Sequence, residues 1–228
     1  MSNQYGTAQI VDDGLVLCLD ANASTSYPGS GTDWFDLTGN DDFTIAGAYT
    51  YSGDPGYINL NGVRVDNDSG ASPPTAWRGT QECTIDLWYR MQSMYGSCCP
   101  TIFGRGDFRF FQIGNHMYTM IGFNDPSYGR RYQHPSFNMA DMPGSTTAWH
   151  HCVGMRRGDD YIIWIDGVER YNTTYGIGWE LWGATNQDWD VNSGTHDADY
   201  AVARIWNRGL SDDEILHNFN AQRARFKK

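Results

Sequence analysis

Two carboxylates on one predicted strand, Glu82 and Asp86, are the residues best placed for acid–base chemistry. They lie in Glu82-Cys83-Thr84-Ile85-Asp86-Leu87-Trp88. They share a strand face, but four residues at ~3.3 Å rise put their backbones ~13 Å apart. Glycoside hydrolysis needs carboxyls ~5–5.5 Å apart for retention and ~6.5–9.5 Å for inversion. The pair therefore reads as polar residues on a strand face, and the chain as non-catalytic. His150-His151 is the second candidate. Neighbouring strand residues point to opposite faces, so the two histidines share no ligand position. One is expected to face the core and the other outward. No His-Glu-x-x-His motif, Cys/His cluster or Gly-x-Ser-x-Gly elbow accompanies them.

Calcium would need six to eight oxygen ligands, usually from loops. Asp36, Asn40, Asp41 and Asp42 form one oxygen-rich segment. Asp188, Asp190, Asn192, Asp197 and Asp199 form another. Asp36, Asn40, Asp188 and Asp190 are the candidate calcium ligands. Asp and Asn are also ordinary turn residues, and solvated loops are the preferred reading. No other cofactor is expected. Trp179, Trp182 and Trp189 crowd a Gly-rich stretch, interleaved with Asn186 and Gln187. Flat aromatic faces beside planar polar groups suit a sugar ring and its hydroxyls. Burial of these tryptophans in a core is the competing reading. Tyr128, Arg130, Arg131, Tyr132 and His134 make a mixed patch that reads as an interaction surface. Arg105-Gly106-Asp107 spells an adhesion tripeptide, but a β-turn explains it equally well.

The elements that must position these residues are mostly strands. Aromatics make up 14% of the 228 residues, and 26 are Gly, the balance of a chain with many short strands and turns. Roughly ten strands are expected, in a sandwich or barrel. Asn61-Gly62, Gly114-Asn115-His116 and Asp166-Gly167 each read as a hairpin turn between alternating segments. One helix is expected over 212–225. Ser211 and Glu214 form a capping box, Leu210 staples onto Ile215, and Ile215, Leu216 and Phe219 make its apolar stripe. Residues 1–13 form a polar N-terminal arm free to reach a neighbour, and 14–228 a single domain. Cys18, Cys83 and Cys152 read as buried thiols, and Cys98-Cys99 as part of a Gly/Ser/Pro loop.

The formal net charge of −11 argues against nucleic acid and anionic membrane surfaces as partners. No apolar run reaches the ~20 residues of a membrane span. The first residues, Met1-Ser2-Asn3-Gln4-Tyr5, lack the basic and apolar regions of a secretory signal. Synthesis in a cytoplasm is expected, or else a mature form that has lost its leader, with Asn22, Asn67 and Asn172 unused as glycosylation acceptors.

Three stretches carry a family likeness. The first is Gly14-Leu15-Val16-Leu17-Cys18-Leu19-Asp20-Ala21, with Ser26-Tyr27-Pro28-Gly29-Ser30-Gly31 and Trp34-Phe35-Asp36-Leu37-Thr38-Gly39-Asn40. The second runs from Trp149-His150-His151-Cys152-Val153-Gly154 into Trp164-Ile165-Asp166-Gly167-Val168. The third runs from Ala203-Arg204-Ile205-Trp206-Asn207-Arg208-Gly209-Leu210 through the predicted helix to Arg225-Phe226. Together they resemble the concanavalin A-like lectin/glucanase superfamily, in its laminin-G-like branch. The first and third are similar to jelly-roll proteins of tailed bacteriophages. The resemblance implies an all-β antiparallel jelly-roll sandwich with a short C-terminal helix. It further implies a virion surface protein, made in the host cytoplasm, acting as a capsid decoration, spike or fibre tip. Its partners would be phage capsid or other virion proteins, further copies of itself as a trimer, and host-surface glycan. A free-standing carbohydrate-binding lectin is the alternative, and a glycan-cleaving enzyme a third. The enzymes' Glu-x-Asp-x-x-Glu spacing is not matched around Glu82 and Asp86.

Overall fold

Strict alternation along one long strand sets the architecture. In Cys83–Met91, the side chains of Cys83, Ile85, Leu87, Tyr89 and Met91 all join one buried apolar cluster. Trp88, between them, joins a different cluster on the opposite face. A strand buried on both faces must have a layer on each side. The computed structural model supplies both layers; it describes residues 9–67, 82–93, 98–105, 108–113, 115–125, 129–133, 136–145, 147–174, 190–193 and 197–228.

Among these residues are seventeen short strands, more than the length of the apolar runs suggests. They are β1 (Leu15–Asp20), β2 (Asp33–Trp34), β3 (Phe43–Ile45), β4 (Thr50–Ser52), β5 (Tyr57–Asn59), β6 (Arg64–Asn67), β7 (Cys83–Met91), β8 (Cys98–Arg105) and β9 (Phe108–Ile113). There follow β10 (His116–Asp125), β11 (Gly129–Gln133), β12 (Ser136–Asn138), β13 (His150–Arg157), β14 (Asp160–Ile165), β15 (Val168–Thr174), β16 (Asp190–Ser193) and β17 (Ala198–Trp206). The first sheet has the order β15-β14-β13-β7-β17-β5-β4, with β1 also paired to β17. The second has the order β11-β10-β9-β8-β16-β6-β3-β2, with β12 on β10. Both are antiparallel, and the main core, including Trp34, Phe43, Leu87, Phe103, Phe110 and Tyr200, lies between them. This is the expected all-β sandwich.

The helix α1 (Asp212–Gln222) covers the outer face of the first sheet. Ser211 caps it and the Glu214 carboxylate completes the box, as the sequence predicts. Leu210 and Ile215 are buried together against Val153, Met155, Ile162 and Trp206. The α-helix stops earlier than expected, and Arg223–Phe226 tightens into a 3₁₀ turn closed by Lys227 in the left-handed region at φ 58°. That turn drives Phe226 onto Trp88, with ring centroids 4.1 Å apart.

Two hairpins match expectation. His116 pairs with Ile113 across β9 and β10. Asp166 and Gly167 sit at φ 52° and 74° between β14 and β15, the two left-handed residues of a type I′ turn. Gly167 is also needed for space, since a Cβ there would lie 2.7 Å from the Phe219 ring. Asn61-Gly62 is not a hairpin. β5 pairs with β4 and β17 in the first sheet, whereas β6 pairs with β3 and β16 in the second. The turn passes the chain from one layer to the other. Cys98 and Cys99 begin β8 rather than lying in a loop. Cys18, Cys83 and Cys152 are buried free thiols, and burial pushes each well up. No helix among the described residues is long and apolar enough to cross a membrane.

The end of the N-terminal arm is not free. Ile10 is buried, Val11 N donates to Asn218, and Trp206 Nε1 donates to Val11 O. Residues 9–13 thus pack beside α1; residues 1–8 lie outside the described residues.

Candidate functional site

The residues singled out by sequence fall into separate places. Asp36 is buried, and its carboxylate accepts from the backbone N–H groups of Cys18, Thr38, Asn40 and Asp41 and from the Thr38 hydroxyl. Asn40 donates to Val16 O. Asp36 and Asn40 are therefore brought together, in a loop organised by backbone donors. Asp190 lies on β16 and accepts from Arg64 at 2.9 Å. Among the described residues, no three His, Cys, Asp or Glu side chains converge as a metal site requires. Trp179, Trp182, Asn186, Gln187, Asp188 and Trp189 lie outside the described residues, as do Gly106, Asp107, Tyr128 and His134. Arg105 ends β8, and Arg130 to Tyr132 belong to β11.

Glu82 and Asp86 serve different neighbours. Glu82 accepts from the backbone N–H groups of Gly158 and Gly209 at 2.9 and 3.1 Å. Asp86 bonds His151 Nε2 at 3.0 Å, with Arg204 3.9 Å away. Burial would raise the Asp86 carboxyl, but Arg204 and His151 outweigh it and hold it below its ordinary value. The two histidines take separate partners, since His150 Nδ1 lies 2.8 Å from Asp166. Neither faces solvent, because α1 covers the outer face and Phe219 stacks on His151.

Sequence reading missed a pocket at the end of that covered face. It encloses about 290 Å³ and is lined by Asp54, Pro55, Tyr57, Arg90, Trp149, Arg225, Phe226 and Lys227. The β4–β5 turn gives Asp54 and Pro55, β5 gives Tyr57, β7 gives Arg90, the approach to β13 gives Trp149, and the 3₁₀ turn with its cap gives the rest. The Arg90 guanidinium lies 5.1 Å from the Tyr57 ring centre and 5.0 Å from that of Trp149. Buried Asp199 holds it from behind through Nε and Nη2. Arg225 ties the turn to the sheet by donating to Pro55 O, Asp20 and Gly56 O. Burial lowers its pKa, and Asp20 counters that. Beyond the pocket the Lys228 ammonium meets Asp166 at 3.0 Å.

The pocket offers aromatic surface, cations and one carboxylate in a volume at the small end for ligand sites, about one sugar ring. Arg225-Phe226 and Trp149 were in the family-like stretches, which was the one sequence signal for it. A profile of the concanavalin A-like lectin/glucanases superfamily matches residues 65–216. No curated protein sequence matches the chain. Among solved structures, the chain is similar to the binding domain of Paraclostridial Mosquitocidal Protein 1, with a TM-score of 0.68 and 14% identity over 91% of this chain and 52% of that one. It is similar to the binding domain of botulinum neurotoxin DC in complex with rat synaptotagmin II, with a TM-score of 0.62 and 12% identity over 91% and 51%. A third is the botulinum neurotoxin serotype D ligand binding domain in complex with N-acetylneuraminic acid, with a TM-score of 0.64 and 11% identity over 92% and 51%. The chain spans about half the length of these structures. At such identities the likeness is one of fold.

Proposed function

The chain belongs to the concanavalin A-like lectin/glucanase superfamily, and on that premise we propose that it is a non-catalytic, glycan-binding module displayed on a tailed-phage particle. The observation that carries the glycan reading is the pocket in which Tyr57 and Trp149 flank Arg90, with Asp54 and Lys227 on the same lining. Aromatic faces suit the apolar face of a sugar, and the flanking polar groups its hydroxyls. The similar botulinum neurotoxin serotype D ligand binding domain supports this reading by its N-acetylneuraminic acid complex.

The non-catalytic reading is supported by the commitments of Glu82 and Asp86, each bonded to its own structural partners. The virion reading is supported by the first and third family-like stretches, which resemble phage structural proteins. These stretches are neighbours in space, since β1 pairs with β17. Sheet edges such as β15 suit assembly into a trimer on a particle lattice.

A glycan array probed with the purified protein tests binding, and a reducing-sugar assay on every bound glycan tests cleavage. Binding without sugar release is the expected result, and released sugar overturns the non-catalytic reading. Mass spectrometry of purified particles tests display. A glycan-binding protein absent from particles is a free-standing lectin.

A further inference from the structure

We propose that the pocket between the β4–β5 turn and the 3₁₀ turn selects an acidic saccharide, one bearing a carboxylate or sulfate, over its neutral counterpart. The inference rests on the glycan-binding reading and adds the class of sugar. It comes from which polar atoms in the pocket are already spent and which remain open.

Formal charge alone does not decide the matter. Asp199 balances Arg90 from behind, and Asp20 balances Arg225. Arg225 donates from all three nitrogens within the protein, to Pro55, Asp20 and Gly56, which holds the wall and leaves two of its five N–H donors. Arg90 spends Nε and Nη2 on Asp199, and its Nη1 takes no partner among the described residues. A guanidinium Nη1 carries two N–H donors. Tyr57 and Trp149 stand against this guanidinium, with ring centres 5.4 Å apart. The Trp149 indole N–H and the Tyr57 hydroxyl also take no partner among the described residues. They are absent from the sealed polar atoms, which include the indole nitrogens of Trp34, Trp88 and Trp164. Lys227 is exposed, its ammonium pairs with no described residue, and the closed 3₁₀ turn fixes its backbone.

The open groups are thus an ammonium, a guanidinium nitrogen, an indole N–H and a phenol, against the single exposed carboxylate of Asp54. A neutral sugar brings hydroxyls, each both donor and acceptor, and meets these cations with neutral acceptors alone. An anionic oxygen only accepts, and charge-assisted bonds to guanidinium and ammonium are the stronger kind. Asp54 then accepts from a ring hydroxyl, and the aromatic pair takes the ring face. The bulk charge of −11 repels anions at long range, so an acidic sugar that binds this chain does so at a local site.

The test is calorimetric titration of the full chain with three probes: cellotetraose, tetragalacturonic acid and a sulfated oligosaccharide of similar length. Each is run at low and at physiological salt. The variants are Lys227→Gln and Asp54→Asn, both at exposed positions with no ion pair among the described residues. The acidic probes should bind about tenfold or more tightly than cellotetraose, and more weakly as salt rises. Lys227→Gln should weaken the acidic probes about three- to tenfold and leave melting temperature unchanged. Asp54→Asn should not weaken the acidic group's contribution. Binding of cellotetraose equal to that of both acidic probes overturns the selectivity and leaves the glycan reading standing. So does a Lys227→Gln variant that keeps full affinity for the acidic probes. Binding of no saccharide here or on the array overturns both.

Discussion

Replacing Glu214 by Gln removes one charge and keeps the shape of the helix cap, since Gln also serves in a capping box. Glu214 meets Arg208 Nη2 and Nη1 at 2.6 and 2.8 Å and accepts from Ser211 N at 2.8 Å. The hydrogen bond from Arg208 is the largest cause holding the Glu214 carboxyl down from 4.5 to about 2. Converted directly, that depression is worth at most about 3.4 kcal/mol. The side chain is 29% exposed, so solvent and salt screen the pair, and about 1–2 kcal/mol is the working expectation. The folded-state value lies below the unfolded one. The contribution is therefore complete above about pH 4.5 and is lost as pH falls through about 2. Urea unfolding of wild type and Glu214→Gln should differ by about 1–2 kcal/mol at pH 7, roughly 2–8 °C in Tm. That gap should close steadily as pH falls from 4.5 towards 2. Comparing the two proteins at each pH cancels the other carboxylates. A gap that stays constant with pH would refute the argument, because the loss would then not come from charge.

Four further outcomes follow from the packing. Gly154→Ala places a Cβ 2.5 Å from Thr119 Oγ1 and 2.6 Å from Phe110 Cζ in the opposite sheet, and calorimetry should show a loss of about 1–3 kcal/mol. Asp86→Asn breaks the buried contact with His151 and Arg204 and should cost about 3–5 kcal/mol in urea unfolding, without removing any sugar-releasing activity. Asp36→Ala strands the four backbone donors that organise residues 36–41, which should cost at least about 2 kcal/mol. Deleting residues 1–9 should leave the melting temperature near wild type while emptying the protein from particles, as read by mass spectrometry. Wild-type occupancy by the truncated chain would move the anchor to the loops or to α1.

The parts legible in the sequence were those governed by neighbours along the chain. The Ser211–Glu214 cap is a four-residue device, and the Asp166-Gly167 turn needs only two left-handed residues between strands of matched register. Asn61-Gly62 carries a similar local signal and joins different sheets. A turn sequence specifies φ and ψ, while partner choice depends on what β16 and β17 offer more than a hundred residues later. The pocket was hidden for the same reason. Its walls come from residues 54–57, 90, 149 and 225–227, and no local pattern links them. Both histidines were placed on opposite faces correctly, but the outward face had already been claimed by Phe219 of the helix.

The placement of β17 has a bearing on how the protein is made. Residues 198–206 are made after every other described strand, yet this strand lies mid-sheet, with β7 along one edge and β5 and β1 sharing the other. Until it emerges, three earlier strands wait with unpaired edges, which are templates for aggregation. The first sheet therefore cannot close until β17 has been made, and a chain halted before residue 198 has no route to it. Cells producing this protein would benefit from rapid completion or from a chaperone that shields those edges. Every copy that folds has been read through its central strand, so the topology itself screens out chains truncated before it.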